Sequence, residues 1–203
     1  MSTRQTSGST PPVEPAAPHR CPLWMHWLLA SPLRRLVESP EALLGPHVAP
    51  GMTVLEPGCG FGYFTLPLAR MVGPGGRVLC VDVEPAPIER LRKRAERAGL
   101  SARIAASVCS PTELGLDDHA GQVDLVAVIH AMHELGDLPG FLRQVVTLLK
   151  PRGRMLVVEP KGHVTAAKFR AQLDACGRAG LHEVPLGPQP RGRLLALLER
   201  RVD

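Results

Sequence analysis

The stretch that decides the fold runs from residue 54 to residue 62 and reads Val54-Leu55-Glu56-Pro57-Gly58-Cys59-Gly60-Phe61-Gly62. A short apolar run ends at an acidic residue, glycine then stands at every second position, and residues 63–71 have the composition of a helix. This order predicts a strand, a tight turn and a helix start. Glycine suits such a turn because it tolerates positive φ and lets a ligand approach the backbone closely.

The spacing of these glycines argues against one class of ligand. The dinucleotide fingerprint is G-x-G-x-x-G, which seats a pyrophosphate at a helix N-terminus. In this chain the glycines are Gly58, Gly60 and Gly62, and Tyr63 stands where the third glycine of that fingerprint is required. The stretch instead resembles motif I of the class I S-adenosylmethionine-dependent methyltransferases, in which an acidic residue and any residue precede G-x-G-x-G. Glu56 and the three glycines match it position by position.

Length and composition set the outer bounds. The chain has 203 residues, 44% of them hydrophobic and 3% aromatic, which suits one α/β domain with an aliphatic core. Its net charge is +5, but the basic residues of segment 89–97 are interleaved with Glu89 and Glu96 and not with aromatic residues. That pattern is typical of a solvated helix face rather than of a nucleic-acid surface.

The cysteines and the apolar runs predict the compartment. The five cysteines form no C-x-x-C pair, so neither a disulfide framework nor a structural zinc site is expected. No apolar run has the length that crosses a bilayer, and the first residues lack the apolar core of a signal peptide. We therefore expect a protein of the reducing cytoplasm with no stable membrane association.

Three regions follow one another along the chain. Residues 1–18 are polar and proline-rich, which predicts a disordered tail. Residues 19–48 contain both tryptophans and short helical patterns, and the resemblance implies that this segment forms a helical lid over the mouth of the site. Packing on the flank of the sheet and binding to a membrane surface remain open as alternatives. Residues 49–203 form the predicted methyltransferase domain.

Strand and helix patterns alternate through that domain. After the first strand, further strands are predicted at 77–83, 103–108, 122–129, within 148–160 after a proline-glycine turn, at 181–186 and at 193–200. Helices are predicted at 63–71, 87–98, 140–149 and 165–178. Motif I and segments similar to the family's post-I, II and III motifs occur in the family's order. The resemblance implies a Rossmann-like, doubly wound α/β fold with a seven-stranded, mostly parallel sheet whose last strand is antiparallel.

The resemblance also assigns residues to S-adenosylmethionine, which becomes S-adenosylhomocysteine after transfer. These cofactor-binding residues are Glu56, Gly58, Cys59, Gly60, Gly62, Asp82, Val83, Ser110 and Ile129. Asp82 lies about 20 residues after Gly62, where a carboxylate accepts hydrogen bonds from ribose hydroxyls, although an acid there can also simply cap the next turn. Near the adenine, where the family has an acidic or small polar residue, this chain has Cys109, Ser110 and Thr112 instead of the common Asp, and Ser110 is the residue assigned.

Three polar residues after the predicted fourth strand, His130, His133 and Glu134, are the candidate catalytic residues. Methyl transfer from a sulfonium needs an aligned nucleophile and in some cases a base. Histidine ionises near neutral pH, so His133 is a candidate base, and Glu134 would hold it in one tautomer or bind a substrate amine. The alternative is that this run begins a loop and has a structural role.

Two other kinds of site have less support. The same His-x-x-His-Glu run has three potential metal ligands on one helical face, and Glu159, Lys161 and His163 are expected near the same sheet edge. No further ligand cluster is evident, and no metal is predicted. Cys21 in the lid could bind a soft substrate such as trivalent arsenic, as in arsenite methyltransferases, but burial as a small apolar residue is the simpler interpretation.

The sequence thus predicts an S-adenosylmethionine-dependent methyltransferase of a small-molecule acceptor, working as a monomer or homodimer. It is similar to the broad group of the ubiquinone/menaquinone C-methyltransferases and the methyltransferase type 11 proteins. The lack of an added recognition domain disfavours protein and nucleic-acid substrates. Two other functions stay open, a cofactor-binding partner or regulator without transfer activity and a nicotinamide-dependent oxidoreductase.

Overall fold

One seven-stranded sheet forms the centre of the computed structural model, which describes residues 38–160, 162–186 and 193–201. The strands are β1 Thr53–Pro57, β2 Arg77–Asp82, β3 Ile104–Val108, β4 Val123–Ile129, β5 Leu149–Pro160, β6 Leu181–Val184 and β7 Arg193–Arg200. Their order across the sheet is β3-β2-β1-β4-β5-β7-β6. Strands β1 to β5 are parallel, and β7 runs antiparallel to both of its neighbours. The predicted fold class is confirmed.

The described residues contain five α-helices. They are α1 Pro40–Leu44, α2 Thr65–Met71, α3 Pro85–Arg97, α4 Leu138–Leu148 and α5 Ala166–Arg178. Single 3₁₀ turns lie at Gly45–His47, Ser101–Arg103, Asp117–His119 and Met132–Glu134. None of the helices in these ranges combines the length and apolar composition needed to cross a bilayer.

The central strands supply two hydrophobic cores at once. Successive residues of a strand point to opposite faces, so Val54 joins the core beneath α1, α2 and α3, while Leu55 joins the core beneath α4 and α5. Both side chains are fully buried. Strands covered on both faces are continuous apolar runs, which is why β1, β2 and β4 show no polar alternation.

Element boundaries differ from the predictions where turns intervene. Helix α2 begins at Thr65 rather than at residue 63, because Pro67 has no backbone N–H to donate to the carbonyl of residue 63. Helix α4 begins at Leu138 because the Asp137 carboxylate accepts a hydrogen bond from Gly140 N at 2.9 Å and caps the helix there. The turn predicted before β5 is a bulge within the strand, since the register to β4 shifts between Val123 and Leu125.

Only the end of the predicted lid falls within the described residues. The tail 1–18, residues 19–37 and Cys21 lie outside them. Residues 38–48 form α1 and the following 3₁₀ turn, and Leu43 and Leu44 are buried in the core beneath α2 and α3. This end of the segment packs on the flank of the sheet, and its Glu38 contacts His130 after β4.

Candidate functional site

The glycine turn after β1 lies across the carboxyl end of β2. Gly58 N donates a hydrogen bond to Val81 O at 2.8 Å, and Gly60 N donates to Asp82 Oδ2 at 2.8 Å. Gly58, Gly60 and Gly62 have φ of +69°, +50° and +78°, so the predicted positive φ is confirmed. The turn motif and the acidic residue, separate in sequence, therefore form one hydrogen-bonded unit.

Two glycines of this turn differ in the space around them. A Cβ on Gly58 would lie 3.1 Å from Ala131 Cβ, so the turn also approaches the segment after β4 closely. A Cβ on Gly60 would have no atom within 4 Å. The turn thus packs against the protein at Gly58 and is open at Gly60, the position at which a ligand can approach the backbone.

Asp82 combines the two roles that the sequence left open. Its Oδ1 accepts a hydrogen bond from Glu84 N at 3.0 Å, which caps the turn after β2, while Oδ2 holds Gly60 N. A carboxylate oxygen accepts more than one hydrogen bond, and Asp82 is only half-buried. The Asp82 carboxylate can therefore accept further hydrogen bonds from the hydroxyls of a ligand.

Two exposed valines lie near Asp82, one next to it in the chain and one opposite it in the strand register. Val83 and Val108 are 50% and 49% exposed and are the large hydrophobic side chains that stand out as exposed in the described ranges. Asp82 pairs with Val108 in the β2 to β3 register, and Cys109 N donates to Asp82 O at 3.0 Å. Exposed valines at adjacent strand ends offer a contact surface for a flat apolar group.

The other predicted cofactor contacts are less open. Ser110 Oγ accepts hydrogen bonds from Thr112 N at 3.3 Å and Glu113 N at 2.9 Å, so this hydroxyl is engaged by its own turn. Ile129 is 7% exposed at the end of β4. Cys59 is buried, and its hydrogen bond with Cys80, together with burial, raises the pKa of its thiol. A thiol held neutral in this way is unreactive.

Glu56 is a buried acid beneath the turn. It is 3% exposed and accepts a hydrogen bond from Thr65 Oγ1 at 2.6 Å. Burial raises the pKa of its carboxyl from 4.5 to about 8; the Thr65 hydrogen bond opposes the rise, and the nearby charge of Asp82 adds to it. Glu56 is consequently neutral below that pH, and a cation placed against it would favour its charged form.

His133 is held by a residue that the catalytic assignment did not include. Glu159 Oε2 lies 2.7 Å from His133 Nδ1, and Glu159 Oε1 accepts a hydrogen bond from His133 N at 3.0 Å. The Glu159 side chain is fully buried, whereas that of His133 is 19% exposed. One carboxylate therefore fixes both the backbone and the ring of His133.

Glu134 does not occupy the orienting position predicted for it. Its Oε1 is 3.9 Å from His133 Nε2, and its side chain is 52% exposed. The residue that orients the imidazole is Glu159. The signal was present in the sequence, because Glu159 is an acid at the end of a buried strand, as Asp82 is, and motif III places that strand beside β4.

His130 contacts a different acidic residue, Glu38. The backbone of His130 has φ +56°, uncommon for a residue other than glycine. Its Nε2 lies 2.9 Å from Glu38 Oε1, which in turn lies 3.2 Å from Arg193 Nε. His130 Nδ1 is buried without a hydrogen-bond partner among the described residues. Glu38, 5% exposed, thus ties the end of the lid segment to the site, and nothing in its sequence context indicated this.

These residues do not form a metal centre. No group of three or more His, Cys, Asp or Glu side chains within the described ranges is arranged to hold a metal ion. The rings of His133 and His163 have centroids 6.4 Å apart. Lys161 lies outside the described residues.

Comparisons with known proteins agree with this geometry. A family model described as a methyltransferase domain matches residues 49–184. The ubiquinone biosynthesis O-methyltransferase of Methylocella silvestris is 32% identical over 116 residues, 57% of this chain and 43% of that protein. The demethylmenaquinone methyltransferase of Symbiobacterium thermophilum is 30% identical over 119 residues, 59% of this chain and 47% of that protein. The chain thus matches less than half the length of these relatives.

A solved structure of a SAM-dependent methyltransferase from Aquifex aeolicus superposes with a TM-score of 0.79. The two proteins are 20% identical, and the superposition covers 89% of this chain and 99% of that one. This likeness concerns the fold. Since the family model covers most of the chain and the motifs lie at the strand ends where open α/β sheets bind ligands, the chain belongs to the methyltransferase domain family, as its resemblance to the class I S-adenosylmethionine-dependent enzymes predicted.

Proposed function

We propose that this protein transfers a methyl group from S-adenosylmethionine to a small-molecule acceptor by in-line displacement. The observation that carries the proposal is the hydrogen bond from Gly60 N to Asp82 Oδ2, which joins the motif I turn to an acid at the end of β2. An open backbone turn beside a capped carboxylate suits a ligand with a ribose and a chain that passes close to the backbone.

The residues present fit S-adenosylmethionine. Asp82 has acceptor capacity for the ribose hydroxyls, and the exposed Val83 and Val108 offer an apolar contact for the adenine. Glu56, Gly58, Cys59, Gly60 and Gly62 form the floor, with Ser110 and Ile129 at the ends of the neighbouring strands. When bound, S-adenosylmethionine supplies a methyl group on a sulfonium that serves as its own leaving group.

The acceptor belongs on the side of His130, His133 and Glu134, beyond the end of β4. The similarity to methyltransferases named for ubiquinone and menaquinone biosynthesis supports a small-molecule acceptor. We assign residues 19–48 as a lid over this side, and the anchored Glu38 supports that assignment. We further place the protein in the reducing cytoplasm as a monomer or homodimer that does not bind nucleic acid; the free thiols of Cys59, Cys80 and Cys176 support that compartment.

Calorimetric titration tests the cofactor. We expect S-adenosylmethionine and S-adenosylhomocysteine to bind with micromolar affinity and NAD not to bind. In Asp82→Ala the affinity for both adenosyl ligands should fall at least about tenfold, because two charge-assisted hydrogen bonds to the ribose are lost.

Asp124→Ala is the control, because it removes a different carboxylate that also accepts a hydrogen bond from a backbone N–H. Asp124 accepts a hydrogen bond from Thr53 N at 2.8 Å, as Asp82 does from Gly60 N, but at the start of β4 and therefore at the opposite edge of the sheet. Asp124→Ala should bind both ligands as the unaltered protein does. Failure of the folded protein to bind either adenosyl ligand would refute the proposal, whereas formation of S-adenosylhomocysteine with an acceptor would exclude a binding role without transfer.

Binding should also release a proton near pH 7. The Glu56 carboxyl is neutral there because burial raises its pKa to about 8, and the ammonium and sulfonium of S-adenosylmethionine favour its ionised form. Titrations at pH 7 in two buffers with different ionisation enthalpies should show a release that approaches one proton. Glu56→Gln should abolish this release; equal release from both proteins would contradict the assignment of Glu56 to the cofactor floor.

A further inference from the structure

We propose that Glu159 is a positioning residue that presents His133 Nε2 as a base for the hydroxyl proton of the acceptor. The inference rests on the proposed methyl transfer and narrows its acceptor to molecules with an alcoholic or phenolic hydroxyl. The evidence is the two hydrogen-bond contacts between Glu159 and His133, and the lack of a hydrogen-bond partner for His133 Nε2 among the described residues.

The two contacts determine the tautomer of the imidazole. A carboxylate only accepts hydrogen bonds, so the nitrogen 2.7 Å from Glu159 Oε2, His133 Nδ1, carries the ring proton. The neutral ring then has its lone pair on Nε2. Because Oε1 binds the backbone N of the same residue at 3.0 Å, the carboxylate is held at both oxygens and cannot rotate away.

His133 Nε2 is available for a further partner. Within the described ranges no group lies at hydrogen-bond distance from it, and the nearest carboxylate oxygen recorded, Glu134 Oε1, is 3.9 Å away. Among the described residues, the charged or titratable groups that face the ring are Glu159 from β5, Glu134 from the same 3₁₀ turn and His163 after β5, whose ring centroid is 6.4 Å distant. A buried orienting acid and an open nitrogen are the two requirements for an oriented imidazole base.

The chemistry of the acceptor follows from the need for such a base. A neutral amine attacks through its own lone pair, and a thiol supplies some thiolate near neutral pH without help. A hydroxyl is a weak nucleophile until its proton leaves. In the step that we infer, the acceptor hydroxyl gives its proton to His133 Nε2 and its oxygen forms the new bond to the methyl carbon. The bond between that carbon and the donor sulfur breaks, and its electron pair remains on sulfur as a thioether.

Two variants of similar shape separate this role from a structural one. In Glu159→Gln the backbone N of residue 133 still requires an acceptor, so the amide oxygen faces it and the amide NH₂ faces the ring. Nδ1 then becomes an acceptor, and the ring proton moves to Nε2. In His133→Asn the side-chain amide can still donate to Glu159, but no base remains.

The first readout needs no donor or acceptor. In protein labelled with ¹⁵N-histidine at pH 8, the His133 ring of the unaltered protein should be protonated on Nδ1, and that of Glu159→Gln on Nε2. A ring protonated on Nε2 in the unaltered protein would overturn the proposal, whatever its activity.

The second readout is methyl transfer to catechol, hydroquinone, thiophenol and aniline as probes. At pH 7 both variants should transfer to the two hydroxyl probes about 100-fold to 1,000-fold more slowly than the unaltered protein, with the affinity for S-adenosylmethionine changed less than threefold. Near pH 10 a phenolic hydroxyl ionises by itself, so the rates of the three proteins should converge to within about tenfold.

Three results of the transfer assay would also overturn the inference. They are unchanged transfer by the variants at pH 7, a deficit that persists near pH 10, and transfer to thiophenol or aniline without transfer to the hydroxyl probes. In each of these cases the unaltered protein still binds S-adenosylmethionine. Loss of that binding is instead the failure of the proposed function, so the two failures are distinguishable.

Discussion

Glu56→Gln is expected to make the protein progressively more stable than the unaltered protein as the pH rises from 4.5 to 8. In the folded chain the pKa of the buried Glu56 carboxyl is raised from 4.5 to about 8, chiefly by burial. The unaltered protein must therefore release a proton from this group when it unfolds in that interval. Glutamine resembles the protonated acid, can still accept the hydrogen bond from Thr65, and does not titrate.

The direction and size of the effect follow from linkage. A carboxyl with a raised folded-state pKa contributes its full stability below pH 4.5, and that contribution is lost as the pH rises toward the folded value of about 8. At about 1.4 kcal/mol for each pH unit, the difference between the two proteins should grow to about 5 kcal/mol. Urea unfolding of both proteins at intervals of half a pH unit measures it.

Thr65→Val serves as the second variant in this series. The Thr65 hydroxyl donates to Glu56 Oε2 at 2.6 Å and is the contact that lowers the pKa of that carboxyl. Without it, the pH-dependent loss of stability should continue above pH 8. Parallel stability curves for Glu56→Gln and the unaltered protein between pH 4.5 and 8 would show that Glu56 is already ionised in the fold.

Gly62→Ala is expected to be among the most destabilising single changes in the glycine turn. Gly62 has φ +78°, and a Cβ there would lie 2.3 Å from Leu91 Cδ1. Leu91 lies on α3 and is fully buried in the core, so it can move away only by displacing its closely packed neighbours. The left-handed backbone and the overpacking together should cost about 2–4 kcal/mol.

Gly60→Ala is the matched control for that change. Gly60 also has positive φ, +50°, but a Cβ there would meet no atom within 4 Å, so only the backbone cost of about 1 kcal/mol remains. Urea midpoints of the two variants at the same pH measure the difference. Equal losses would mean that Leu91 does not limit the space at Gly62.

The order of the elements was predictable because it depends on local pattern. Continuous apolar runs identified the parallel strands, the glycine spacing of motif I identified the turn and its positive φ, and the position of Asp82 at a strand end identified it as the opposing acid. Element ends were less predictable. Helix α2 begins at Thr65 because Pro67 cannot donate to the carbonyl of residue 63, and helix α4 begins at Leu138 because Asp137 caps it.

The pairing of the site residues could not be read from local sequence, because the partners lie far apart in the chain, although Glu159 was expected at the same edge of the sheet. Glu134 is adjacent to His133 and was the natural candidate to orient it, but Glu159 from β5 occupies that position. Glu38 binds His130, 92 residues away, and nothing in either local sequence indicates the pair. Such contacts depend on which strand ends are neighbours, and therefore on the strand order rather than on the pattern of any one segment.

The position of β7 between β5 and β6 affects how the chain folds during synthesis and where it can be truncated. β6 pairs with β7 alone at the edge of the sheet, and β7 separates it from β5. During synthesis β6 therefore leaves the ribosome before its partner, and β5 keeps an unpaired edge until residues 193–200 follow. The family match, which ends at residue 184, is therefore shorter than the sheet, because it leaves out β7. A protein trimmed to that match would retain every motif and expose an open strand edge.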